Sequence, residues 1–552
     1  MNWTKIVALL LGLVAAIGSE AQTDFWMKTS TSENPFTSHQ FHAGDYQNGT
    51  YYYCGEFWRD ISFGTFEAAI PVGEDNQDAF ILQTDAQGNE QNLLHFTGNG
   101  YERISDLVAL DNGEIWLCGF FNQTFSYDTV SFQATGFYDT FLLHLDAEGG
   151  VLDAFQFFGQ GSQNALNFDA LAVDSQGQIW VLANFGGTVQ IGQEIIEGGF
   201  SQDGLLIHFS KTGEILDIHH FATPGDGEEN FLYLNALAVD KSDNVIVGGT
   251  MTGAATVDSM VIDLNPESYG QAVLFKYNSA DQLLWSKVYN SFYSGINTIT
   301  IGADQEIIAG VQFQSSFEFD GEEILGNGSF SEMVLIGVGT DGDALWYNAF
   351  TKDDFQAIGG IYPISIVEQA GRIFVGGFYS GTIVNNGETI LESGDNQWAY
   401  ILELEGDGTL SNVFPFSSAA YARVNFLAAG SEGISFGGEY AQSIIFQDQS
   451  YNSVNSTLFY GLIFEVVNDV NQFQVNEEVK VFPNPFHDDL RIQTQMPASY
   501  QLEIFNLLGQ KVWEEDFSGT ELNLDLNSLA PGHYNYIFKA KESIRTGKLV
   551  KH

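Results

Sequence analysis

Basic residues are the scarcest feature of this chain: 19 Lys and Arg stand against 71 Asp and Glu in 552 residues, a formal net charge of −52. The charged share is 16%, below the roughly 25% usual for soluble proteins, so the imbalance reflects missing bases more than added acids. Electrostatic binding to nucleic-acid backbones or anionic headgroups is excluded on that ground. Cysteine is almost absent: Cys54 and Cys118 are the two present, far from a disulfide framework. Proline is rare, helix-period stretches are hard to find, and past the first 21 residues no apolar run approaches the roughly 18 that a membrane-spanning helix needs. There is no His-Glu-x-x-His or paired-Cys metal motif and no Gly-x-Ser-x-Gly elbow, so zinc and serine hydrolases lack support. What is abundant is glycine, with 59 residues, and aromatics, at 14%.

At the amino end, Lys5 precedes the apolar run Ile6 to Ile17, and Ser19-Glu20-Ala21 places small residues at −3 and −1 of a cut between Ala21 and Gln22. Residues 1–21 therefore read as a secretory signal peptide. Export permits disulfides, but Cys54 and Cys118 precede the same glycine position in neighbouring units. Such positions lie farther apart than the roughly 4.4–6.8 Å Cα spacing a disulfide requires, so two buried thiols are expected.

Self-similarity sets the fold. Tyr53-Cys54-Gly55, Leu117-Cys118-Gly119, Val247-Gly248-Gly249, Val375-Gly376-Gly377 and Phe436-Gly437-Gly438 repeat one pattern, with Gly310 and the degenerate Leu182-Ala183 as further copies. A second anchor keeps step with the first: Asp78-Ala79-Phe80, Asp139-Thr140-Phe141 and Asp203-Gly204-Leu205, then copies starting at Gln271, Glu332, Gln397 and Tyr460. Each unit reads as four strands, A to D. In the third copy these are Ala170–Val173, Gln178–Leu182, Gly204–Phe209 and Glu214–Ile218, with hairpin turns at Asp174–Gly177 and Ser210–Gly213. The last unit lacks a D strand, and Thr23–Lys28 at the mature amino terminus matches the missing piece. The expectation is an all-β chain: a seven-bladed β-propeller over 22–466, closed by its amino-terminal strand, with six or eight blades as the alternative. The units resemble bacterial secreted β-propeller repeats.

Composition changes near residue 470. Residues 22–478 hold 61 acidic and 10 basic residues, residues 479–552 hold 9 and 8, which marks 467–478 as a linker. Short alternating strands follow, suited to a small Ig-like β-sandwich. Val481-Phe482-Pro483-Asn484-Pro485-Phe486, Asn506-Leu507-Leu508-Gly509-Gln510, Pro531-Gly532-His533-Tyr534 and the closing Lys548-Leu549-Val550-Lys551 occur in order. Residues 479–552 thereby resemble the type A C-terminal sorting domain of the type IX secretion system. The resemblance implies transit through the periplasm, passage across the outer membrane by the type IX machinery, and removal of the domain by a surface peptidase. The cargo is then released or held at the cell surface. Pro483, Asn484, Pro485, Gly509, Gly532, Tyr534, Lys548 and Lys551 carry the motif.

Chemistry is sparse. His144 and His208 occupy equivalent strand-C positions and read as repeat packing, while the adjacent His219 and His220 point to opposite faces of a strand. No catalytic, cofactor or metal residues are assigned. Calcium is the one ion the acidic segments Asp226–Glu229 and Asp320–Glu323 could hold, although neither has an EF-hand pattern. Arg59, Arg103, Arg372 and Arg423 are expected at unrelated positions, against a sialidase-like arginine cluster, and Asp111–Trp116 is only a partial Asp-box. Antiparallel order puts the long connections Asn122–Tyr138, Pro224–Asn230, Asp320–Ser331 and Lys352–Gly360 at one end of the disc. Tyr127, Phe137, Tyr138, Asp320, Glu322 and Glu323 are the expected binding face for a glycan or a protein. The functional expectation is an exported, non-catalytic binding or adhesion module without a transmembrane helix. A surface polysaccharide-degrading enzyme and a structural envelope component are the alternatives.

Overall fold

The computed structural model describes residues 25–32, 38–71, 76–160, 166–223, 231–257, 260–264, 268–327, 331–353, 359–464, 480–482, 487, 489–506, 511–529, 532–540 and 543–551. The signal segment, the linker and the Asp226–Glu229 candidate lie outside the described residues. Every described regular element is a β-strand, and the chain divides into a body, Phe25–Phe464, and a second unit holding the carboxyl-terminal strands.

The body consists of seven four-stranded antiparallel arrays. Their A strands are His39–Gln47, Glu102–Ala109, Leu166–Val173, Phe231–Val239, Ser291–Ile301, Ile361–Gln369 and Ala422–Gly430. In each array A pairs with B, B with C and C with D. Array 3 has its strands at Leu166–Val173, Ile179–Ile191, Glu194–Phe209 and Ile215–Ala222, with the two expected turns closed by Gly177 N–H to Asp174 O and Gly213 N–H to Ser210 O. The fourth strand of array 7 is Phe25–Thr29, paired from Phe25↔Ile463 to Thr29↔Phe459.

One irregularity recurs in every array. The A–B register slips by one residue at the same point, leaving His42, Ser105, Asp169, Asn235, Asn297, Ile364 and Asn425 as the extra residues of β-bulges. The bulge swings a strand-A carbonyl over strand B. The carbonyls of Gln40, Arg103, Tyr233, Tyr362 and Arg423 lie where a Cβ would stand on Gly55, Gly119, Gly249, Gly377 and Gly438. That explains the glycine column. It also corrects the alignment in array 5, where the equivalent residue is Val311, opposite Ile296, not Gly310. Gly310 belongs one residue earlier, with Gly248, Gly376 and Gly437, where the next array's A strand presses in through Ile296, Pro363, Val424 or Phe41. Cys54 and Cys118 fill this second column as buried free thiols.

Hydrogen bonds stitch neighbouring A strands at the bulges. Asn297 Nδ2 donates to Pro363 O at 3.3 Å and Asn425 Nδ2 to Phe41 O at 2.8 Å. Asp45 and Asp106 accept Ala109 N–H and Leu171 N–H, each at 2.8 Å. Between each array and the next lies a buried apolar layer. The layer joining array 7 to array 1 holds Phe426, Leu458, Tyr460 and Leu462 from one side and Phe41, Tyr53, Phe57 and Phe80 from the other.

The B–C connections differ from expectation. They are not variable loops but hairpins that fold back: Thr124–Tyr127 pairs with Val130–Gln133, Ala254–Val257 with Met260–Asp263 and Thr382–Asn385 with Glu388–Glu392. Several pair with the D strand of the preceding array, as Phe125↔Gly98, Phe221↔Val257 and Phe350↔Asn385. Asp320-Gly321 and Asn386-Gly387 make the tight turns with φ of 52° and 78°, and 51° and 80°, the left-handed pair that suits a two-residue hairpin.

The second unit is a five-stranded antiparallel sheet around Leu490, Ile492, Leu502, Ile504, Leu524, Leu526 and Tyr534. Its long strand Asp489–Asn506 breaks register between Gln493 and Ala498. Gly532 pairs with Lys551 and Asn535 with Lys548. Lys551 is buried and its Nζ donates to Leu526 O at 2.8 Å. Pro483, Asn484, Pro485 and Gly509 lie outside the described residues.

Candidate functional site

The six residues expected on one face do not come together. Tyr127 sits near a hairpin tip in array 2, stacked on Phe96 at 4.0 Å with its hydroxyl donating to Gly149 O at 2.7 Å, in the C–D turn. Phe137 and Tyr138 lie in the chain entering strand C, where Tyr138 meets Phe120 at 5.1 Å and Phe137 is exposed. Asp320, Glu322 and Glu323 occupy the hairpin Ile307–Phe319/Glu322–Leu325 of array 5. Tyr347 OH donates to Glu322 at 3.0 Å, and this bond, ahead of burial, raises the phenol pKa.

Of the six, Glu323 lines a cleft among the described residues. This cleft, of about 620 Å³, is bounded by Asn290, Ser291, Phe292, Ser316, Glu318, Gly321 and Glu323. Its floor is the hairpin, on which Glu318 and Glu323 are direct cross-strand partners. Like charges so placed repel; Asn290 Nδ2 donates to Glu318 at 3.1 Å and eases one of them. Phe292 and Tyr269 are both exposed, 46% and 72%, with ring centroids 5.0 Å apart. The two aromatics escaped sequence reasoning because they meet through a non-local parallel bridge, Gly270↔Tyr293. The bridge recurs as Gln77↔Tyr101 and Gln397↔Tyr421, so a tyrosine column at 101, 293 and 421 was the signal available.

A second polar constellation lies at the bulges. Arg103 and Arg423 both stand immediately before the apolar residue preceding the bulge, opposite Phe120 and Glu439. They are repeat-equivalent, contrary to expectation, and they flank array 1. There His42 Nε2 lies 3.0 Å from Glu56. The arginine side chains lie over Phe120 at 5.6 Å and Phe378 at 4.7 Å. Burial lowers the His42 pKa, reinforced by Arg103. Burial works against Glu56 ionising, yet His42 and Arg103 hold its carboxyl below the usual range. Burial pushes Glu439 up to about 7, opposed by Arg423 and reinforced by Glu56. Acids accompany both arginines, so the set is not the cationic trap that a carboxylate ligand would need.

The strand-C histidines stack on strand-B indoles and also bond to polar neighbours. His144 stacks on Trp116 at 4.3 Å and His208 on Trp180 at 3.7 Å. His220 pairs with Asp203 at 2.9 Å, while His219 faces Asp217 and Asp281 on the other side of the strand.

Comparison with known proteins defines the class of the tail. Residues 480–552 match the model of the secretion system C-terminal sorting domain, which indicates a secreted or outer-membrane-surface location through the type IX route. No curated protein matches the chain. A Dyadobacter fermentans protein of unknown function is similar over 80% of this chain and 99% of its own, at 8% identity and a TM-score of 0.36. The extracellular domain of a putative hybrid two-component system of B. thetaiotaomicron aligns over 93% and 97%, at 7% identity and 0.18. A glycoside hydrolase family 32 structure from Bifidobacterium adolescentis aligns over 77% of each, at 8% and 0.25. Likenesses with TM-scores this low establish neither fold nor activity. Among the described residues no helix is long and apolar enough to cross a membrane.

Proposed function

We propose that the body is a seven-bladed β-propeller, closed by Phe25–Thr29, and that it acts outside the cell as a non-catalytic binding module for neutral glycan chains. In this reading the type IX machinery exports it and a surface peptidase removes the tail. The observation that carries the binding assignment is the array-5 cleft, where the exposed Phe292 lies beside Asn290, Ser291, Glu318 and Glu323, with the exposed Tyr269 ring 5.0 Å from Phe292 extending it. Flat apolar rings cover the C–H face of a sugar while amide, hydroxyl and carboxylate groups take its hydroxyls. Among the described lining residues the charged groups are the acids Glu318 and Glu323, which suits a neutral or cationic ligand. The cyclic order of apolar layers supports the propeller reading, because each array buries both faces only against its two neighbours.

The test is a neutral-oligosaccharide array probed with the purified chain and with Phe292→Ala and Glu323→Gln variants. Binding that falls at least tenfold in both, with unchanged thermal unfolding, supports the assignment. Retained binding in both variants moves the working surface elsewhere. Release of shorter products from the same sugars would make the protein a hydrolase instead, with Glu318 and Glu323 as the facing carboxylates.

A further inference from the structure

We infer that Asp217, His219 and Asp281 bind a single divalent transition-metal ion of the zinc type, where array 3 meets array 4. Asp217 and His219 are two residues apart on the D strand Ile215–Ala222, so both side chains leave the same face. Asp281 comes from the C–D turn of array 4. His219 Nε2 lies 3.9 Å from Asp217 Oδ2 and 4.0 Å from Asp281 Oδ1, and the three ligand atoms lie within 4.8 Å of one another. Bonds of about 2.0–2.1 Å place ligands roughly 3.3 Å apart around a tetrahedral zinc, so closing the set needs shifts of about half an ångström. The His219 side chain is 5% exposed and that of Asp217 48%. The imidazole is thus fixed in the interior, while the Asp217 side is open for a water in the fourth position.

An outer layer supports these groups. His208 lies opposite Asp217 in register; its Nδ1 is 2.8 Å from Asp281 Oδ1 and its Nε2 3.1 Å from Gln178 Oε1. Stacked on Trp180, this ring cannot turn freely, and it holds the Asp281 carboxylate from outside, as the second layer of a metal site does.

The repeat itself demands neither His219 nor Asp281. The last position of the C–D turn is glycine in five other arrays, Gly88, Gly149, Gly213, Gly342 and Gly408, all at positive φ. Asp281 keeps that left-handed conformation, φ 58°, where a side chain is disfavoured. In array 2 the counterparts His144 and Asp153 are retained. The place of His219 is taken there by Phe155, which packs against Gly213. Elsewhere the position of His219 is filled by Leu94, Lys287, Asn348, Phe414 and Lys28, so a polar residue facing the next C–D turn is common there, and the departure particular to this junction is Asp281, which faces His219.

The experiment is zinc titration of the chelator-stripped full chain by calorimetry, with cobalt as an absorbing probe of the ligand field. One equivalent of zinc is expected, with affinity reduced at least tenfold in His219→Gln and in Asp217→Asn, and unchanged in His144→Gln. If His219→Gln fails to fold, Asp217→Asn at its exposed position decides. Absence of saturable zinc binding by the parent chain, or parental affinity in Asp217→Asn, overturns the assignment.

Discussion

Trp26→Ala tests whether the two ends of the body are joined. Trp26 lies on Phe25–Thr29, the outer strand of array 7, half-buried, with its ring 6.0 Å from Tyr460. Its Nε1 donates to Ala86 O at 2.9 Å, and the indole fills the space where Gly88 has no Cβ. Ala86 and Gly88 form the C–D turn of array 1, so a single side chain spans the junction. Removing a fully buried aromatic costs about 3–5 kcal/mol; half of that, about 2 kcal/mol, applies here. The indole hydrogen bond contributes about 1 kcal/mol more. The sum, about 3 kcal/mol, is roughly a hundredfold in the folding equilibrium. Urea unfolding of the purified chain, followed by tryptophan fluorescence and by circular dichroism, reads it as a lower midpoint at unchanged slope. Lys28→Ala is the companion. Lys28 pairs with Glu90 at 2.9 Å but is 38% exposed, so its loss should cost under about 1 kcal/mol. A Trp26→Ala midpoint within about 0.5 kcal/mol of the parent would refute a structural role for the strand.

Stability should fall as pH rises from about 4.5 to 9. Burial raises Glu102 to about 9, with Asp78 adding to it, and raises Asp106 to about 7. The folded chain therefore holds protons that the unfolded chain has released, and its stability declines until the folded pKa values are passed. His39, lowered to about 4 by burial, works the other way between about 4 and 6.5, but its one proton is outweighed there by the two held on Glu102 and Asp106, so the optimum should lie at about pH 4.5. Glu102→Gln should raise the melting temperature more at pH 8 than at pH 5. Gly438→Ala, blocked by the Arg423 carbonyl, should destabilise by about 1–3 kcal/mol, whereas Gly186→Ala, with open space around it, should stay within about 0.5 kcal/mol; chemical denaturation compares them. Mature protein recovered outside the cell should begin near Gln22 and lack the region matching the sorting domain, residues 480–552, as read by mass spectrometry. Full-length chain retained in the periplasm would contradict that processing.

Sequence reading went furthest where one period governs many residues. Strand spans, tight turns and the tail motifs follow from local chemistry: Asp174–Gly177 can close a hairpin whatever surrounds it. The fold-back hairpins were missed because their outer strands pair with a different array, as Phe125 does with Gly98, and no local pattern records that partner. The single-residue bulge was missed for a related reason. A one-residue slip leaves the average spacing intact while moving Gly310 out of its column and bringing Arg103 and Arg423 into equivalence.

The acidic composition now divides by cause. The strand-C residue opposite Phe57, Phe121, Phe185 or Phe313 of strand B is acidic in four arrays, Asp78, Asp139, Asp203 and Glu332, and all four are buried. Asp139 accepts Thr135, Gly136 and Gly159 N–H, Asp203 accepts Thr223 N–H, and Glu332 accepts Asn327 and Lys352 N–H. These carboxylates anchor the chain where strands C and D meet the connections, at a spot where an unpaired backbone donor would be costly. They recur because the architecture recurs. Other acids stand outside that recurrence. Glu318 faces Glu323 across a hairpin, and Asp281 occupies a glycine position. In a body built by repetition, a side chain kept against the local preference marks a place where folding alone did not choose the residue.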